Sequence, residues 1–317
     1  MLAVVTGATG FVGHAVCARF AAAGWRVRGL ARHVPAQGIA GAELLALDLE
    51  REDALPALKG ADIVIHLAGR AHVLQDRSAD PRATFQSANS DATAHLAQAV
   101  VKAGISSMLF VSTAKVHGDE SPGRPFTEHD VPDPQDDYAQ SKWNAEQRLR
   151  HILPGSIILR PPLVYGPGVG ANFLRLVRLV DRGIPLPLAS VRNSRSLVFV
   201  HNLADCLFAC ATHPGVSGRT FLVSDGEDVS TPQLLRLIAE LLGRPARMWP
   251  CPPSLLHAGA AILGKAAEAD RVLGSLVVDS TAVRAISWKP PHSLAEGLRQ
   301  TIRWYQREYR RESKAGA

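Results

Sequence analysis

The sequence contains few cysteines and no apolar run long enough to cross a bilayer. Only four of its 317 residues are cysteine. They form no CxxC pair, and Cys206 and Cys210 lie four residues apart in an apolar helical pattern, so we expect reduced thiols in the core. The Ala-rich segment 258–269 has about a dozen residues, fewer than a spanning helix needs. These absences exclude a disulfide-stapled protein and a membrane-spanning one.

Signals for export and for metal binding are also missing. The chain opens with MLAVVTG, a buried strand leading into a glycine turn, and not with a basic segment and a cleavage site. We therefore expect a cytoplasmic protein. The 12 histidines form no HExxH motif and no His/Cys pair at ligand spacing, so we expect no metal site.

The charge is positive but is not patterned for nucleic acid. The 35 Lys and Arg residues exceed the 29 Asp and Glu residues, and they are spread along the chain without interleaved aromatic residues. We expect an anionic substrate and cofactor and no nucleic acid. One basic cluster indicates a solvated helix end with, at most, weak attraction to an anionic membrane surface; it consists of Arg303, Arg307, Arg310, Arg311 and Lys314.

Short apolar runs alternate with helical patterns through the first two-thirds of the chain. We predict strands at 3–6, 26–30, 44–47, 63–67, 108–112 and 157–159. The helical patterns at 14–23 and 92–103 are each followed by a glycine, Gly24 and Gly104. This alternation predicts βαβ units and a parallel sheet.

A glycine-rich turn lies between the first strand and the first helix, in the sequence TGATGFVG. Gly7, Gly10 and Gly13 would let the backbone approach a pyrophosphate at the helix N-terminus, which indicates a dinucleotide site of the Rossmann type. The second strand ends in Ala31-Arg32, where NAD-binding versions have an acidic residue. An arginine attracts a 2′-phosphate, so we favour NADP(H), with NAD(H) as the alternative.

Three further segments are expected near the same cofactor. Asp48, after the third strand, can accept a hydrogen bond from the adenine amino group. Leu67-Ala68-Gly69 lets the chain pass close to the dinucleotide. Asn89 either contacts the cofactor or serves only as a helix-start residue, and the sequence leaves both interpretations open.

Tyr138 and Lys142 lie four residues apart on a predicted helix, and hence on one face about 6 Å apart. We predict that the Lys142 ammonium lowers the pKa of the phenol, so that Tyr138 can act as a general acid or base. The strand at 108–112 ends toward the same crevice, where Thr113 would offer its hydroxyl to a substrate oxygen. The alternative is that Thr113 makes only a strand-end hydrogen bond.

These motifs, followed by RPPLVYGPG from Arg160 to Gly168, resemble the extended short-chain dehydrogenase/reductases, and within them the nucleotide-sugar epimerase/dehydratase group. The resemblance covers residues 2 to 306. It implies Tyr138 as general acid/base, Lys142 as its partner and Thr113 in place of the usual serine. It also implies that Arg195 and Asn172 hold a substrate diphosphate. Arg271 is either a second arginine at that group or a structural surface residue, and the sequence leaves both interpretations open.

The resemblance also implies a full set of cofactor contacts: Gly7, Gly10, Phe11, Val12, Gly13, Arg32, Asp48, Leu49, Leu67, Ala68, Gly69, Asn89, Ser112, Tyr138, Lys142, Pro161 and Leu163. The chain departs from the family at Lys115 and at His117, where a tyrosine is usual. The acidic pair that 4,6-dehydratases need after Thr113 is missing, which argues against dehydration.

Two domains are predicted. Residues 1–165 form the Rossmann domain, a doubly wound parallel sheet of the α/β class, to which 201–224 return. After Gly166 proline-rich loops separate helical patterns, so 166–200 and 225–317 form a smaller C-terminal α/β substrate-binding domain. The family resemblance makes a homodimer the default.

The reaction is less specific than the fold. The leading hypothesis is reduction of a 4-keto, UDP-linked hexose, since Arg32 favours NADPH. The main alternative is a 4-epimerase of UDP-glucose or UDP-N-acetylglucosamine, which the same residues would serve. A non-catalytic cofactor-sensing module is a third hypothesis, and the presence of both Tyr138 and Lys142 argues against it.

Overall fold

The computed structural model describes residues 1–71, 80–121, 123–262, 264 and 266–315. Its main sheet has seven parallel strands in the order β3-β2-β1-β4-β5-β6-β9, and β7 and β8 form a separate parallel pair. The predicted doubly wound parallel sheet is confirmed. The strands are β1 (Leu2–Thr6), β2 (Arg26–Ala31), β3 (Glu43–Ala46), β4 (Ile63–His66), β5 (Met108–Val111), β6 (Ile157–Arg160), β7 (Leu163–Tyr165), β8 (Leu197–Phe199) and β9 (Thr220–Leu222).

Helices connect these strands and build the C-terminal region. They are α1 (Phe11–Ala22), α2 (Pro81–Phe85), α3 (Ala92–Lys102), α4 (Asp137–Ile152), α5 (Ala171–Asp181), α6 (Val200–Thr212), α7 (Thr231–Leu242), α8 (Pro253–Ile262), α9 (Ala266–Leu273), α10 (Thr281–Arg284) and α11 (Leu294–Ala315). Short 3₁₀ helices cover Leu55–Leu58 and Ala114–His117, and a π-helix covers Gln86–Asp91. Within the described ranges, no helix is both long and apolar enough to cross a membrane.

The sheet is buried on both faces because its strands send alternate side chains to two cores. Val4, Val64 and Phe110 lie in a core that includes residues of α3 and α4. The neighbouring residues Val5 and Ile65 point the other way, into a larger core shared with α1, α6 and the C-terminal helices. Strands buried on both faces explain the continuous apolar runs of the sequence.

Two segments after the first 160 residues matter for the domain division. β9 pairs with β6 at the edge of the main sheet, within the segment 201–224 that the sequence assigned to the Rossmann domain. β7 lies within the range assigned to the first domain, but it pairs with β8 from the range assigned to the second. The boundary itself stays a prediction.

The cysteines differ in their surroundings. Cys17, Cys206 and Cys210 are buried free thiols, as expected, and burial raises the pKa of the Cys17 thiol to about 12. Cys251 is only partly buried, so the expectation of a core thiol is wrong there. It lies in the proline-rich segment before α8, outside the packed layers.

Candidate active site

The site is built at the carboxyl edge of the sheet, where the strand order reverses between β1 and β4. In such sheets ligands bind in the crevice outside this edge. The chain leaves β1 into the glycine turn, leaves β4 into Leu67-Ala68-Gly69, and leaves β5 into Ser112-Thr113. The sequence-predicted segments therefore share one edge of the sheet.

The glycine turn has no room for side chains. Gly7 has a φ of 66°, and a Cβ there would lie 2.8 Å from the backbone nitrogen of Ala68. A Cβ on Gly13 would lie 2.2 Å from the carbonyl oxygen of Gly7. No side chain caps the N-terminus of α1, which begins at Phe11. A close-packed turn opening onto a helix N-terminus fits a dinucleotide pyrophosphate.

A buried histidine, His66 at the end of β4, links the end of β1 to α3, and local sequence pattern does not distinguish it from an ordinary strand residue. The Thr6 hydroxyl lies 2.7 Å from Nδ1 of His66, and Nε2 of His66 lies 2.9 Å from the Thr93 hydroxyl. Thr93 donates to the carbonyl oxygen of Asn89, so it accepts from Nε2–H, and Thr6 donates to Nδ1. Burial lowers the pKa of His66 to about 3, with Lys142 as a second cause, so the ring is neutral.

Asn89 connects the loop after β4 to α4. Its Oδ1 accepts from the backbone N–H of Arg70 at 2.7 Å, and its Nδ2 donates to the Arg70 carbonyl at 3.0 Å and to the Ser141 hydroxyl at 2.8 Å. It lies inside the π-helix and not at a helix start. These hydrogen bonds hold the main chain of Arg70 against α4, so Asn89 has a structural role. Its contact with a cofactor stays a prediction.

Thr113, Tyr138 and Lys142 lie together where β5 ends. Tyr138 is in the first turn of α4, which is capped by Asp136, and a hydrogen bond from Thr113 reaches the phenol. Lys142, 5% exposed, donates from Nζ to the Val111 carbonyl at 3.0 Å. A hydroxyl, a phenol and an ammonium at one edge are the groups that proton transfer to a substrate oxygen requires.

The pKa of the phenol moves opposite to the sequence-based expectation. Burial, followed by the negative charge of Asp136, raises the pKa of Tyr138 to about 12, although the Thr113 hydrogen bond lowers it. Lys142 is not among the causes. Burial lowers the pKa of Lys142 itself to about 8, opposed by Glu146. The prediction that Lys142 lowers the phenol's pKa is therefore wrong for this structure, because desolvation dominates.

Lys115, a departure from the family pattern, joins two carboxylates beside this group. Its ammonium forms ion pairs with Asp119, at 2.8 Å, and with Asp136. Asp136 caps α4 by accepting from the Ala139 N–H at 2.7 Å, so Lys115 ties the loop after β5 to the start of the helix that carries Tyr138. The side chain of Lys115 is 17% exposed, which places the pair in a partly desolvated setting.

His117, the other departure, is part of a buried polar group. Arg160 donates from Nη1 to Nε2 of His117 at 2.8 Å and forms a two-pronged ion pair with Glu146, at 3.0 and 2.5 Å. Burial and the neighbouring Arg160 lower the pKa of His117 to about 4. Arg160 thus links β6 to α4 through Glu146 and to the Ala114–His117 helix through His117.

The predicted diphosphate residues lie in the C-terminal region. Arg195 donates from Nη1 to the carbonyl oxygens of Arg271, at 2.8 Å, and Gly274, at 3.0 Å. Burial lowers the pKa of Arg195, opposed by Glu120 and Asp119. Arg271 thus contacts Arg195 through its main-chain carbonyl and not through its side chain. Asn172 is exposed in the first turn of α5. Their contact with a substrate stays a prediction.

The remaining predicted cofactor residues surround the same edge. Arg32 is exposed immediately after β2. Asp48, followed by Leu49, lies two residues beyond β3 and accepts from the Glu50 N–H at 3.1 Å. Pro161 accepts from the Ala114 N–H at 2.9 Å. Leu163 is 41% exposed in β7, outside the main sheet.

One buried polar atom at the site lacks a protein partner. Among the described residues, the hydroxyl of Ser112 accepts and donates no hydrogen bond, although the residue is 3% exposed. An unpaired buried hydroxyl is costly unless another group satisfies it. The atom lies at the end of β5, so it too fits a site for a polar cofactor.

The chain is similar over nearly its whole length to two curated proteins. A UDP-glucose 4-epimerase of Vibrio cholerae is 38% identical over 308 residues, covering 94% of this chain and 93% of that protein. A ceramide reductase of Caulobacter vibrioides is 30% identical over 324 residues, covering 95% and 93%. The two names differ in reaction and in substrate.

A solved structure of another protein has the same fold. UDP-glucuronic acid 4-epimerase from Bacillus cereus, solved with NAD, has a TM-score of 0.79 at 18% identity and covers 98% of this chain and 100% of its own. At this identity the likeness concerns the fold alone.

The family comparison covers most of the residues described above. Residues 3–224 match the NAD dependent epimerase/dehydratase family. This range includes the glycine turn, Thr113, Tyr138 and Lys142, and it extends through β9. The chain therefore belongs to the NAD-dependent epimerase/dehydratase family of extended short-chain dehydrogenase/reductases and is an enzyme of that type, as the sequence motifs predicted.

Proposed function

We propose that this enzyme transfers hydride at C4 of a UDP-linked hexose and that its net reaction reduces a 4-keto sugar to the alcohol. The observation that carries the proposal is the hydrogen bond between Thr113 and Tyr138 at the carboxyl edge of the sheet. Two adjacent hydroxyl groups there can hold the oxygen of a reacting carbonyl.

A protonated phenol at Tyr138 is the form that a reduction requires. With a pKa of about 12, Tyr138 keeps its proton at neutral pH. In a reduction, C4 accepts the hydride and the phenol gives its proton to the carbonyl oxygen, which becomes the hydroxyl. An epimerase must begin by removing a proton from the C4 hydroxyl, a step that needs the phenolate.

The family is NAD-dependent, and we propose NADP(H) for this member. The nicotinamide supplies the hydride when the cofactor is bound. Gly7, Gly10 and Gly13 would hold its pyrophosphate, and Arg32 would meet a 2′-phosphate on the ribose. The support is that Arg32 is exposed after β2 and that the segment 29–33 contains no carboxylate. NAD(H) is the alternative.

A UDP-linked substrate is supported by Arg195 and by a relative's name. Two main-chain carbonyls orient the Arg195 guanidinium, and a pre-oriented guanidinium suits a diphosphate. Asn172 and Arg271 are proposed as further contacts. The Vibrio cholerae relative is named for a UDP-sugar.

The second candidate is a UDP-hexose 4-epimerase, favoured by that same relative. An epimerase returns the hydride to the opposite face, so it can retain NAD through many turnovers. A reductase consumes one reduced cofactor per product. A non-catalytic cofactor-sensing module is a third, weaker candidate.

The test uses purified protein with UDP-4-keto-hexoses and UDP-hexoses. We expect NADPH oxidation only with the 4-keto sugar, and no interconversion of UDP-glucose and UDP-galactose or of their N-acetyl forms. If the purified protein holds NAD tightly and interconverts these UDP-hexoses without added cofactor, the reductase hypothesis is wrong. Tyr138→Phe should lower turnover about 10²-fold or more, and Tyr309→Phe on α11 is the matched control. Equal turnover by Tyr138→Phe would refute the catalytic assignment.

We also propose a cytoplasmic homodimer, since Rossmann-domain helices often pair in this family. Sedimentation equilibrium of the full chain should give twice the monomer mass. A monomer at all concentrations would contradict this proposal.

A further inference from the structure

Helix α8 is apolar but is not buried. Its sequence, PSLLHAGAAI, contains no Asp, Glu, Lys or Arg, and none of its ten residues is buried. Leu255 is 63% exposed and Ile262 is 86% exposed. Only Leu256 and Ala260, one turn apart, are partly covered. A helix that is apolar all round normally lies inside a core or in lipid.

The residues before α8 extend this surface and give it a charge. Trp249 is 50% exposed, and its main chain is fixed by hydrogen bonds to Leu186 and Ala189. Arg244 and Arg247 are exposed, although Arg244 forms an ion pair with Asp181, 3.6 Å apart. The segment 243–262 contains no Asp or Glu. We call Trp249, Leu255, Ile262 and these two arginines the α8 surface.

We propose that the α8 surface docks on an anionic lipid bilayer, with α8 lying in the plane of the interface. Exposed apolar side chains, a tryptophan and an exposed arginine, Arg247, in a segment without Asp or Glu are the combination that binds such an interface. A second copy of the chain is disfavoured, because a two-fold contact would bring the same arginines of both copies together.

The position of α8 connects this surface to the substrate side of the enzyme. Nε2 of His257 on α8 lies 3.1 Å from a carboxylate oxygen of Asp270 on α9. One residue further along α9, the Arg271 carbonyl accepts from Arg195. The proposal rests only on the α8 surface, so it stands whether the enzyme is a reductase or an epimerase.

The experiment is co-sedimentation of the full chain with large unilamellar vesicles of phosphatidylcholine, with and without 30 mol% phosphatidylglycerol. We expect binding to the anionic vesicles that weakens as salt is raised, and quenching of tryptophan fluorescence by brominated lipid that is lost in Trp249→Phe. The Leu255→Glu/Ile262→Glu variant should bind at least about tenfold more weakly. Val131→Glu, at a side chain 84% exposed elsewhere, is the matched control and should bind like the wild type.

Three results would overturn the proposal. The first is a wild type that does not sediment with anionic vesicles. The second is equal binding by the wild type and the Leu255→Glu/Ile262→Glu variant, which would assign binding to the C-terminal cluster. The third is self-association in sedimentation velocity that requires Leu255 and occurs without vesicle binding, which would make a second copy the occupant. Circular dichroism and turnover of a soluble substrate, both expected to match the wild type, verify that the variant is folded.

Discussion

The ammonium of Lys142 donates a hydrogen bond to the main-chain carbonyl of Val111, 3.0 Å away, and thereby joins α4 to the last residue of β5. The same ammonium lies 4.6 Å from the centre of the Phe110 ring. Its surroundings are therefore mostly apolar, and its pKa falls from an ordinary 10.5 to about 8. A buried ammonium of this kind fixes geometry while reducing stability.

Replacing Lys142 by Met should change how stability depends on pH. The folded wild type binds this proton less tightly than the unfolded chain, so Lys142 destabilises it below pH 8, and the loss disappears as pH rises to 10.5. The free energy of unfolding of the wild type, relative to that of Lys142→Met, should therefore rise by about 2 kcal/mol between pH 7 and pH 10. Urea unfolding of both proteins at the two pH values measures this, and a gap independent of pH would contradict it.

Removing Lys115 should raise the pKa of Tyr138 further. Asp136 already raises that pKa, and the Lys115 ammonium pairs with the Asp136 carboxylate. Without the ammonium, Lys115→Met should move the alkaline limb of the pH–rate profile upward, while Lys115→Arg should restore it. Absorbance titration of tyrosinate gives a second reading. An unchanged alkaline limb with normal folding would show that Lys115 acts only as a structural contact.

Arg32→Glu should reverse the cofactor preference. The variant would repel a 2′-phosphate and could accept hydrogen bonds from ribose hydroxyls, so we expect NADPH affinity to fall by about tenfold or more and NADH affinity to rise. Thermal shift against each cofactor measures both changes. Arg236→Glu, exposed on α7, carries the same charge change away from the site. Equal NADPH binding by Arg32→Glu and Arg236→Glu would exclude a role for Arg32.

The buried pair of Glu146 and Arg160 should be sensitive to loss of one partner. Glu146 is 1% exposed and Arg160 is 4% exposed, so Glu146→Gln leaves a guanidinium without its counter-charge. We expect a loss of about 3–5 kcal/mol in the free energy of unfolding, measured by urea. Glu240→Gln, exposed on α7, should cost almost nothing. Similar losses in the two variants would show that the Glu146–Arg160 pair contributes no more to the free energy of unfolding than an exposed carboxylate does.

The sequence predicted the elements that local pattern determines. The glycine turn and the apolar runs of the first six strands follow from spacing and composition, and the observed strands differ from the prediction by one residue at their ends. Tyr138 and Thr113 were also predictable, because strand ends and helix faces share one edge in this topology.

Long-range partners were not predictable in the same way. His66 looked like an ordinary strand residue, since its partners Thr6 and Thr93 are 60 and 27 residues away. The pKa of Tyr138 was mispredicted because a four-residue spacing gives distance but not desolvation. The pairing of β7 with β8 was likewise missed, because three-residue strands carry little pattern of their own. Burial and distant contacts decide these features, and neither is visible in a local window.

The neutral His66 has a consequence for how the enzyme responds to acid. A ring with a pKa of about 3 carries no charge at any pH at which the protein is expected to work, so its two hydrogen bonds keep the same direction throughout. The spacing between the glycine turn and the loop after β4 is thus insulated from acidification. Dinucleotide affinity measured from pH 5 to pH 8 should consequently vary only through titration of the cofactor and of the groups that contact it. The hydrogen bonds of His66 to Thr6 and Thr93 should stay the same over this range.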